Sequence, residues 1–172
     1  MEEQQCPYCL IAEGKIPANI VYEDSNFMAA LEIRPANAGH IILFPRSHSK
    51  SITELGEKEL NQLITTISKI SSVLQKLSSG VNVLISEGQA AGQVFPHLTI
   101  NLIPRFENDN LTFAWQPKPV TEEQTSKLKS VLTDSLKALI KKPEEPKLPA
   151  EDLDKIKQKI EASLAKLKKR RA

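Results

Sequence analysis

The most constraining feature of this chain is a segment near residue 100 in which polar and aliphatic side chains alternate. His97, Thr99 and Asn101 are separated by Leu98 and Ile100. Because successive side chains of a β-strand point to opposite faces, the alternation predicts a half-buried strand with the three polar side chains on one face. The chain must therefore fold around a sheet that carries a polar row.

Other segments of the first 118 residues have the composition and boundaries of strands or of one helix. Short strands are predicted at about residues 20–22, 27–33, 40–44 and 81–85, each bounded by turn-forming residues. Between residues 56 and 77, apolar side chains recur every three or four positions, which predicts one amphipathic helix. We expect an α+β domain, with an antiparallel sheet of about five strands and one long helix packed on it.

The C-terminal third is predicted to be helical. Thr121 and Gln124 have the spacing of a capping box, and an amphipathic pattern over residues 119–142 predicts a helix packed on the domain of residues 1–118. A Pro-rich linker, residues 143–149, cannot continue that helix. A basic helix is expected at residues 150–172.

Charge is unevenly distributed along the 172 residues. Residues 1–117 have a net charge of −4 and residues 118–172 one of +6. An acidic body argues against a nucleic-acid groove on the main domain, whereas the basic tail leaves such contacts possible there.

No apolar run approaches the length of a membrane span, and the first five residues are unlike a secretory signal. We therefore expect a cytoplasmic protein without a membrane partner.

The chain contains one Cys-x-x-Cys pair, Cys6 and Cys9, and no other cysteine. Zinc binding would need two further ligands, for which histidines are available. Redox chemistry is the alternative, since the four residues from Cys6 to Cys9 match the glutaredoxin active-site tetrapeptide. Glutaredoxins place that motif after a first strand, however, and only five residues, four of them polar, precede Cys6. Zinc binding, redox function and two thiols without function all remain open from the spacing alone.

Several ordered segments resemble those of one known family. They are Cys6-x-x-Cys9, Ile16-Pro17-Ala18, Val21-Tyr22-Glu23-Asp24, Pro35-x-x-x-Gly39-His40, Phe44-Pro45-Arg46-x-His48, the run from Gly92-Gln93 to Pro104-Arg105, and Trp115-Gln116-Pro117-Lys118. With them, residues 6–118 resemble the zinc-carrying branch of the histidine triad (HIT) family, which handles nucleotide phosphates through three histidines at every second position. The resemblance implies a HIT-like fold and a homodimer.

The resemblance also implies a complete zinc site. The family's ligands correspond to Cys6, Cys9, His48 and His97, all of which are present. Two thiolates and two imidazoles favour zinc over calcium or magnesium, so one structural zinc ion per chain is expected.

The catalytic positions of the family are not retained. The nucleophilic histidine corresponds to Thr99 and the third histidine to Asn101, while Ser86 and Val94 stand where the family has phosphate-contacting groups. A threonine hydroxyl needs an adjacent general base, and the resemblance assigns His97 to zinc. We therefore expect no catalytic residue. For His40, a structural hydrogen-bonding role is expected rather than catalysis.

A nucleotide pocket can outlast the loss of catalysis. The resemblance implies a base slot formed by Tyr8, Ile11 and Ile33, widened by Ala30. Glu32 takes the place of the acid that holds the ribose, with one methylene more than the usual aspartate. Near the phosphate, Gly92 and Gln93 are predicted to offer backbone groups, and Thr99 and Asn101 to act as neutral hydrogen-bond donors.

Three functions are consistent with the sequence. The first is a pseudoenzyme: a module that binds a purine nucleotide or another protein. The second is an active nucleotide hydrolase or nucleotidyl transferase with a rearranged site. The third is an adapter that contacts RNA or the ribosome through residues 150–172. That tail also has a near-heptad apolar stripe suited to packing on the body or a twin subunit, or it could be a solvated lysine-rich face.

Overall fold

The computed structural model describes residues 6–140, and the chain divides into two compact units, Met1–Ala114 and Trp115–Ala172. The linker predicted at residues 143–149 and the basic helix predicted at 150–172 lie outside the described residues. No helix among residues 6–140 is both long and apolar enough to cross a membrane.

The first unit is built on a five-stranded antiparallel sheet, as expected. Its strands are β1 (Ile20–Glu23), β2 (Phe27–Leu31), β3 (Ile41–Pro45), β4 (Gly80–Ile85) and β5 (Ile100–Arg105), arranged in the order β1-β2-β3-β5-β4. Helix α1 (Pro7–Ala12) precedes β1, and helix α2 (Glu57–Leu74) connects β3 to β4. Short 3-10 helices occur at Ile52–Glu54 and Gln89–Ala91. The α+β class predicted from the sequence is confirmed.

The two faces of the sheet are covered differently. On one face, α2 contributes Leu63, Ile70 and Leu74 to a buried core with side chains of β2, β3 and β5. The other face presents Met28, Ala30, Ile42 and Phe44, against which Tyr8, Ile11 and Ala12 of α1 pack. Because α1 has six residues and α2 has 18, the second face is covered over a shorter length. This difference leaves room for a cavity on that face.

The strand predicted through His97 starts later than the alternation suggested. Strand β5 begins at Ile100, so His97 and Thr99 lie in the irregular segment before it. The His97 N–H donates to the Phe95 carbonyl at 2.7 Å, closing a tight turn, and the Leu98 N–H donates to Ser49 at 2.6 Å rather than to a neighbouring strand. Backbone hydrogen bonding, which the alternation does not report, therefore decides where the strand begins.

Two other predicted boundaries shift by a few residues. Strand β2 ends at Leu31, two residues short of the prediction, because the chain turns before Pro35. Helix α2 ends at Leu74 rather than Leu77, and at its start the Gly56 N–H donates to the Glu59 carboxylate at 2.9 Å.

In the second unit, helix α3 (Glu122–Leu139) has Thr121 at its N-cap, and the predicted capping box with Gln124 is present. The packing of this helix on the domain of residues 1–118 stays a prediction.

An ion-pair network at the end of β5 fixes the turn that follows it. The Arg105 guanidinium donates to the Asp109 carboxylate at 2.6 and 2.9 Å. Asn37 donates from the same amide nitrogen to Asp109 and to the Pro104 carbonyl, both at 2.9 Å. The network thus ties the loop before β3 to the end of β5.

Replacing Asp109 with asparagine should reduce stability at neutral pH, with an effect that shrinks in acid. Hydrogen bonds from Arg105, and then from backbone N–H groups, hold the pKa of Asp109 well below its usual range. A depressed folded-state pKa adds stability above the unfolded-state pKa of about 3.9, and this stability is lost as pH falls through the folded-state value. Thermal melts of wild type and Asp109→Asn should therefore converge from about pH 5 downward. An exposed control, Glu107→Gln, should show no such convergence, and a constant difference for Asp109→Asn would contradict the ion-pair assignment.

Candidate metal centre and adjoining pocket

Four side chains from separate parts of the first unit converge behind α1. Cys6 is the N-cap of α1 and Cys9 lies within it, whereas His48 follows β3 and His97 precedes β5. Their ligand atoms all lie within 4.8 Å of one another. Cys6 and His97 are fully buried, Cys9 is nearly so, and His48 is half-buried.

The distances between these atoms fit a tetrahedral metal ion. Sγ of Cys6 lies 3.3 Å from Nδ1 of His97, and Sγ of Cys9 lies 3.2 Å from Nδ1 of His48 and 3.6 Å from Nδ1 of His97. Zinc bonds of about 2.3 Å to sulfur and about 2.0 Å to nitrogen, at tetrahedral angles, separate the two atoms by roughly 3.5 Å. The four residues predicted as ligands therefore form a set that could hold zinc, whose role there would be structural.

His97 is oriented for this role by its other ring nitrogen. Nε2 donates to the Pro45 carbonyl at 3.0 Å, which leaves the lone pair of Nδ1 facing the two sulfurs. Burial lowers the pKa of His97, so the neutral imidazole that a metal requires is favoured.

The low exposure of both thiols argues against the redox alternative, since a redox-active cysteine needs access to its partner.

Tyr8 separates the metal centre from a neighbouring cavity. Its ring centroid lies 5.3 Å from that of His97 and 5.1 Å from that of Phe44. Burial, and then the negative charge of Glu32, raises the pKa of Tyr8 to about 12. Tyr8 is therefore an uncharged side chain that borders both the metal centre and the cavity.

The cavity has a volume of about 440 Å³ and lies between α1 and the thinly covered face of the sheet. Small-molecule sites typically fall between about 300 and 1,000 Å³. It brings together every residue that the sequence predicted for nucleotide binding: Tyr8, Ile11, Glu32, Ile33, Gly92, Gln93, Thr99 and Asn101. Ala30, Ser86 and Val94 line the same cavity.

The strand register sets the length of the cavity. Ala30 of β2 pairs with Ile42 of β3, which pairs in turn with Asn101 of β5. Glu32 follows β2, so it lies two strands away from Asn101, a lateral separation of about 10 Å. One oxygen of the Glu32 carboxylate accepts the Arg34 N–H at 2.8 Å, which leaves the second oxygen for a ligand.

The loop at the other end of the cavity is held by the Gln93 side chain. Its amide oxygen accepts the Gly88 N–H at 2.7 Å, and its nitrogen donates to the Lys50 carbonyl at 2.9 Å. Gly92 has φ of 91°, a left-handed conformation that a residue with a Cβ adopts only with strain. The sequence predicted backbone roles for these two residues; the structural role of the Gln93 side chain was missed.

None of the described residues that line the cavity is a histidine. His48 and His97 face the cysteines. His40 is buried behind the cavity, where Nδ1 accepts the Ala36 N–H at 3.2 Å and Nε2 lies 3.0 Å from Oδ1 of Asn101. The hydrogen-bonding role expected for His40 is confirmed.

Several residues of the cavity wall were not predicted from the sequence. Ile42 and Phe44 share a face with Ala30, and the rule that side chains two positions apart in a strand lie on one face could have grouped Ile42 with Phe44. Phe95, whose ring lies edge-on to Tyr8 at 6.0 Å, and Arg34 follow no such pattern, because both lie in irregular segments.

Comparisons with known proteins place the chain in one family. The HIT domain model matches residues 13–108, and the chain belongs to the HIT family. An uncharacterized HIT-like protein of Methanocaldococcus jannaschii is 39% identical over 105 residues, covering 60% of this chain and 81% of that protein.

Solved structures of the same family are similar in fold. A histidine triad nucleotide-binding protein from Candida albicans aligns with a TM-score of 0.69 and 25% identity, covering 78% of this chain and 99% of that one. A Zn-bound histidine triad family protein from Mycobacterium smegmatis aligns with a TM-score of 0.60 and 28% identity, covering 80% and 99% of the two chains.

Proposed function

We propose that this protein is a cytoplasmic HIT-family pseudoenzyme: a zinc-stabilised homodimer that binds a purine nucleotide and does not carry out triad catalysis. One observation carries the proposal. The cavity assembles all eight residues predicted for nucleotide binding, yet its polar end has Thr99 and Asn101, and none of the described residues that line it is a histidine.

The environment of Thr99 supports the proposed loss of triad catalysis. Activating a threonine hydroxyl requires a base within hydrogen-bonding reach. Both nitrogens of His97 are engaged, one with Pro45 and one towards the cysteines. His40 is engaged on both sides as well. Neither histidine can accept a proton from Thr99 without losing its present partner.

The rest of the cavity supports retained binding. Tyr8, Phe44 and Ile42 provide an apolar surface on which a planar base can stack. The available oxygen of Glu32 can accept ribose hydroxyls, and the groups near Asn101 can contact a phosphate about 10 Å away across the sheet. The nucleotide-binding relative from Candida albicans agrees with this assignment.

A position at the edge of the sheet supports the homodimer. Within residues 6–140, strand β4 pairs with β5 on one side only, and its Val83 and Ile85 are partly exposed. An apolar edge strand has unpaired backbone N–H and C=O groups that can pair with another chain, and the β4 strand of a second copy can supply the partners.

Isothermal titration of the zinc-loaded protein with AMP and GMP should show micromolar binding of at least one of them. Glu32→Gln should weaken that binding about tenfold, because it replaces a charged hydrogen-bond acceptor at the ribose. The amide oxygen introduced there can still accept the Arg34 N–H, so the loop should stay folded.

The matched control is Glu107→Gln, an exposed glutamate outside the cavity, which should bind as wild type does. No heat of binding at millimolar nucleotide would overturn the nucleotide assignment. It would leave protein interaction, including contacts through residues 150–172, as the function to pursue. Sedimentation of the same sample gives the particle mass and so tests the homodimer.

A further inference from the structure

The hydrogen bond between His40 and Asn101 determines which atoms the polar end of the cavity presents. The Ala36 backbone N–H can only donate, so Nδ1 of His40, 3.2 Å away, must be an unprotonated acceptor. A neutral imidazole then carries its hydrogen on Nε2. That N–H lies 3.0 Å from the Asn101 amide and requires an acceptor, so the amide oxygen faces His40.

His40 is held so that it cannot readily adopt another orientation. Its side chain is buried. Its backbone N–H donates to the Asn37 carbonyl at 3.1 Å, and its backbone carbonyl accepts the Glu32 N–H at 2.9 Å. The Asn37 amide is itself bonded to Pro104 and Asp109. The loop and the imidazole are therefore fixed before any ligand arrives.

Since the oxygen of Asn101 faces His40, its NH2 group is the part that can still donate to a ligand. Asn101 lines the cavity, and its Nδ2 has no hydrogen bond to another of residues 6–140. We infer that His40 is a positioning residue that presents the Asn101 NH2 to the cavity, so that this end selects a ligand with an acceptor oxygen, the phosphate of a nucleoside monophosphate. This inference rests on the proposed function.

The distribution of charge around the cavity makes the Asn101 NH2 group important for selecting a phosphate. In the part of the chain that the structure describes, its charged lining residues are Glu32 and Arg34, which both follow β2, two strands away from Asn101. The groups around Asn101 are the neutral hydroxyls of Thr99 and Ser86. Discrimination between a phosphorylated and an unphosphorylated nucleoside therefore depends on the orientation of one amide rather than on a cationic side chain.

The test compares AMP with adenosine in the full-length, zinc-loaded protein. Asn101→Asp keeps the shape of the side chain but places an acceptor oxygen where the phosphate needs a donor. The ratio of AMP affinity to adenosine affinity should fall about tenfold or more. Asn61→Asp, which adds the same charge on an exposed face of α2, should keep the wild-type ratio. An unchanged ratio in Asn101→Asp would overturn the inference.

Variants of His40 test the positioning role separately. His40→Gln places an amide nitrogen near the position of Nε2 and should retain the wild-type ratio, whereas His40→Ala frees the amide to turn and should lower it. If the ratio of AMP affinity to adenosine affinity falls in both His40→Gln and His40→Ala, or in neither variant, positioning through the Nε2–H of His40 is wrong.

Nitrogen-15 NMR of the ligand-free protein tests the tautomer of His40 independently of nucleotide binding. His40 should have its hydrogen on Nε2, and a hydrogen on Nδ1 would overturn the assignment. If wild type binds neither AMP nor adenosine, the proposed function fails and phosphate selection fails with it. The tautomer measured by NMR still decides whether His40 orients Asn101.

Discussion

Wild-type protein should contain about one zinc per chain, and His48→Gln should release it and lower the melting temperature by more than about 10 °C. His48 is the half-buried ligand, so its replacement perturbs packing less than changes at the fully buried Cys6 or His97. Structural zinc contributes its binding free energy to folding, on the order of 10 kcal/mol in small zinc-binding peptides. Here it would join α1 to the segments that contain His48 and His97.

A second histidine provides the matched control for this experiment. His40→Gln makes the same chemical change at a histidine outside the four-residue cluster, so it should keep the zinc. Metal analysis and thermal melts of the two variants separate loss of a ligand from loss of a histidine. A wild-type protein that is metal-free, and as stable with a chelator as without one, would refute the zinc site.

Introducing two imidazoles should give the protein an activity that we expect wild type to lack. We expect no turnover of adenosine phosphoramidate by the wild-type protein, and turnover at least about a hundredfold above the uncatalysed background in Thr99→His combined with Asn101→His. Imidazole is a nucleophile at neutral pH without a separate base, and both positions already line the cavity. The adduct that imidazole forms with a nucleotide is also labile enough for water to complete the reaction.

The single variant Asn101→His is the control, since it adds an imidazole but leaves Thr99 at the nucleophile position. It should remain inactive. Turnover by wild type that disappears in Thr99→Ala would contradict the pseudoenzyme proposal and support the rearranged active site instead. Binding of AMP by the double variant would show that the cavity had stayed folded if no activity appeared.

The sequence predicted elements better than it predicted their ends. Turn-forming residues bounded β2 and β3, and the spacing of apolar residues identified α2, because burial of one face imposes a period on the sequence. The same rule placed His97 in a strand, whereas the chain forms a turn there. Periodicity reports which side chains are buried and does not report where the backbone hydrogen bonds go.

Residues of the candidate site were predicted from their likeness to a family rather than from spacing. Cys6 and Cys9 alone left zinc, redox and inert thiols open, because their partners are 39 to 91 positions away along the chain. Only the fold shows that four ligand atoms lie within 4.8 Å of one another and that the thiols are buried. A metal site depends on distances between atoms, and sequence separation does not give those distances.

The sequence by itself determined the α+β class, the capping box at Thr121, and the absence of histidine at positions 99 and 101, since these follow from local pattern and residue identity. The tertiary structure decided the rest: the convergence of the metal ligands, the cavity left by a short α1, and the hydrogen bond that orients Asn101 through His40. Those features arise where segments distant in sequence meet across the sheet. Their geometry is fixed by packing and hydrogen bonding between strands, which no local pattern contains.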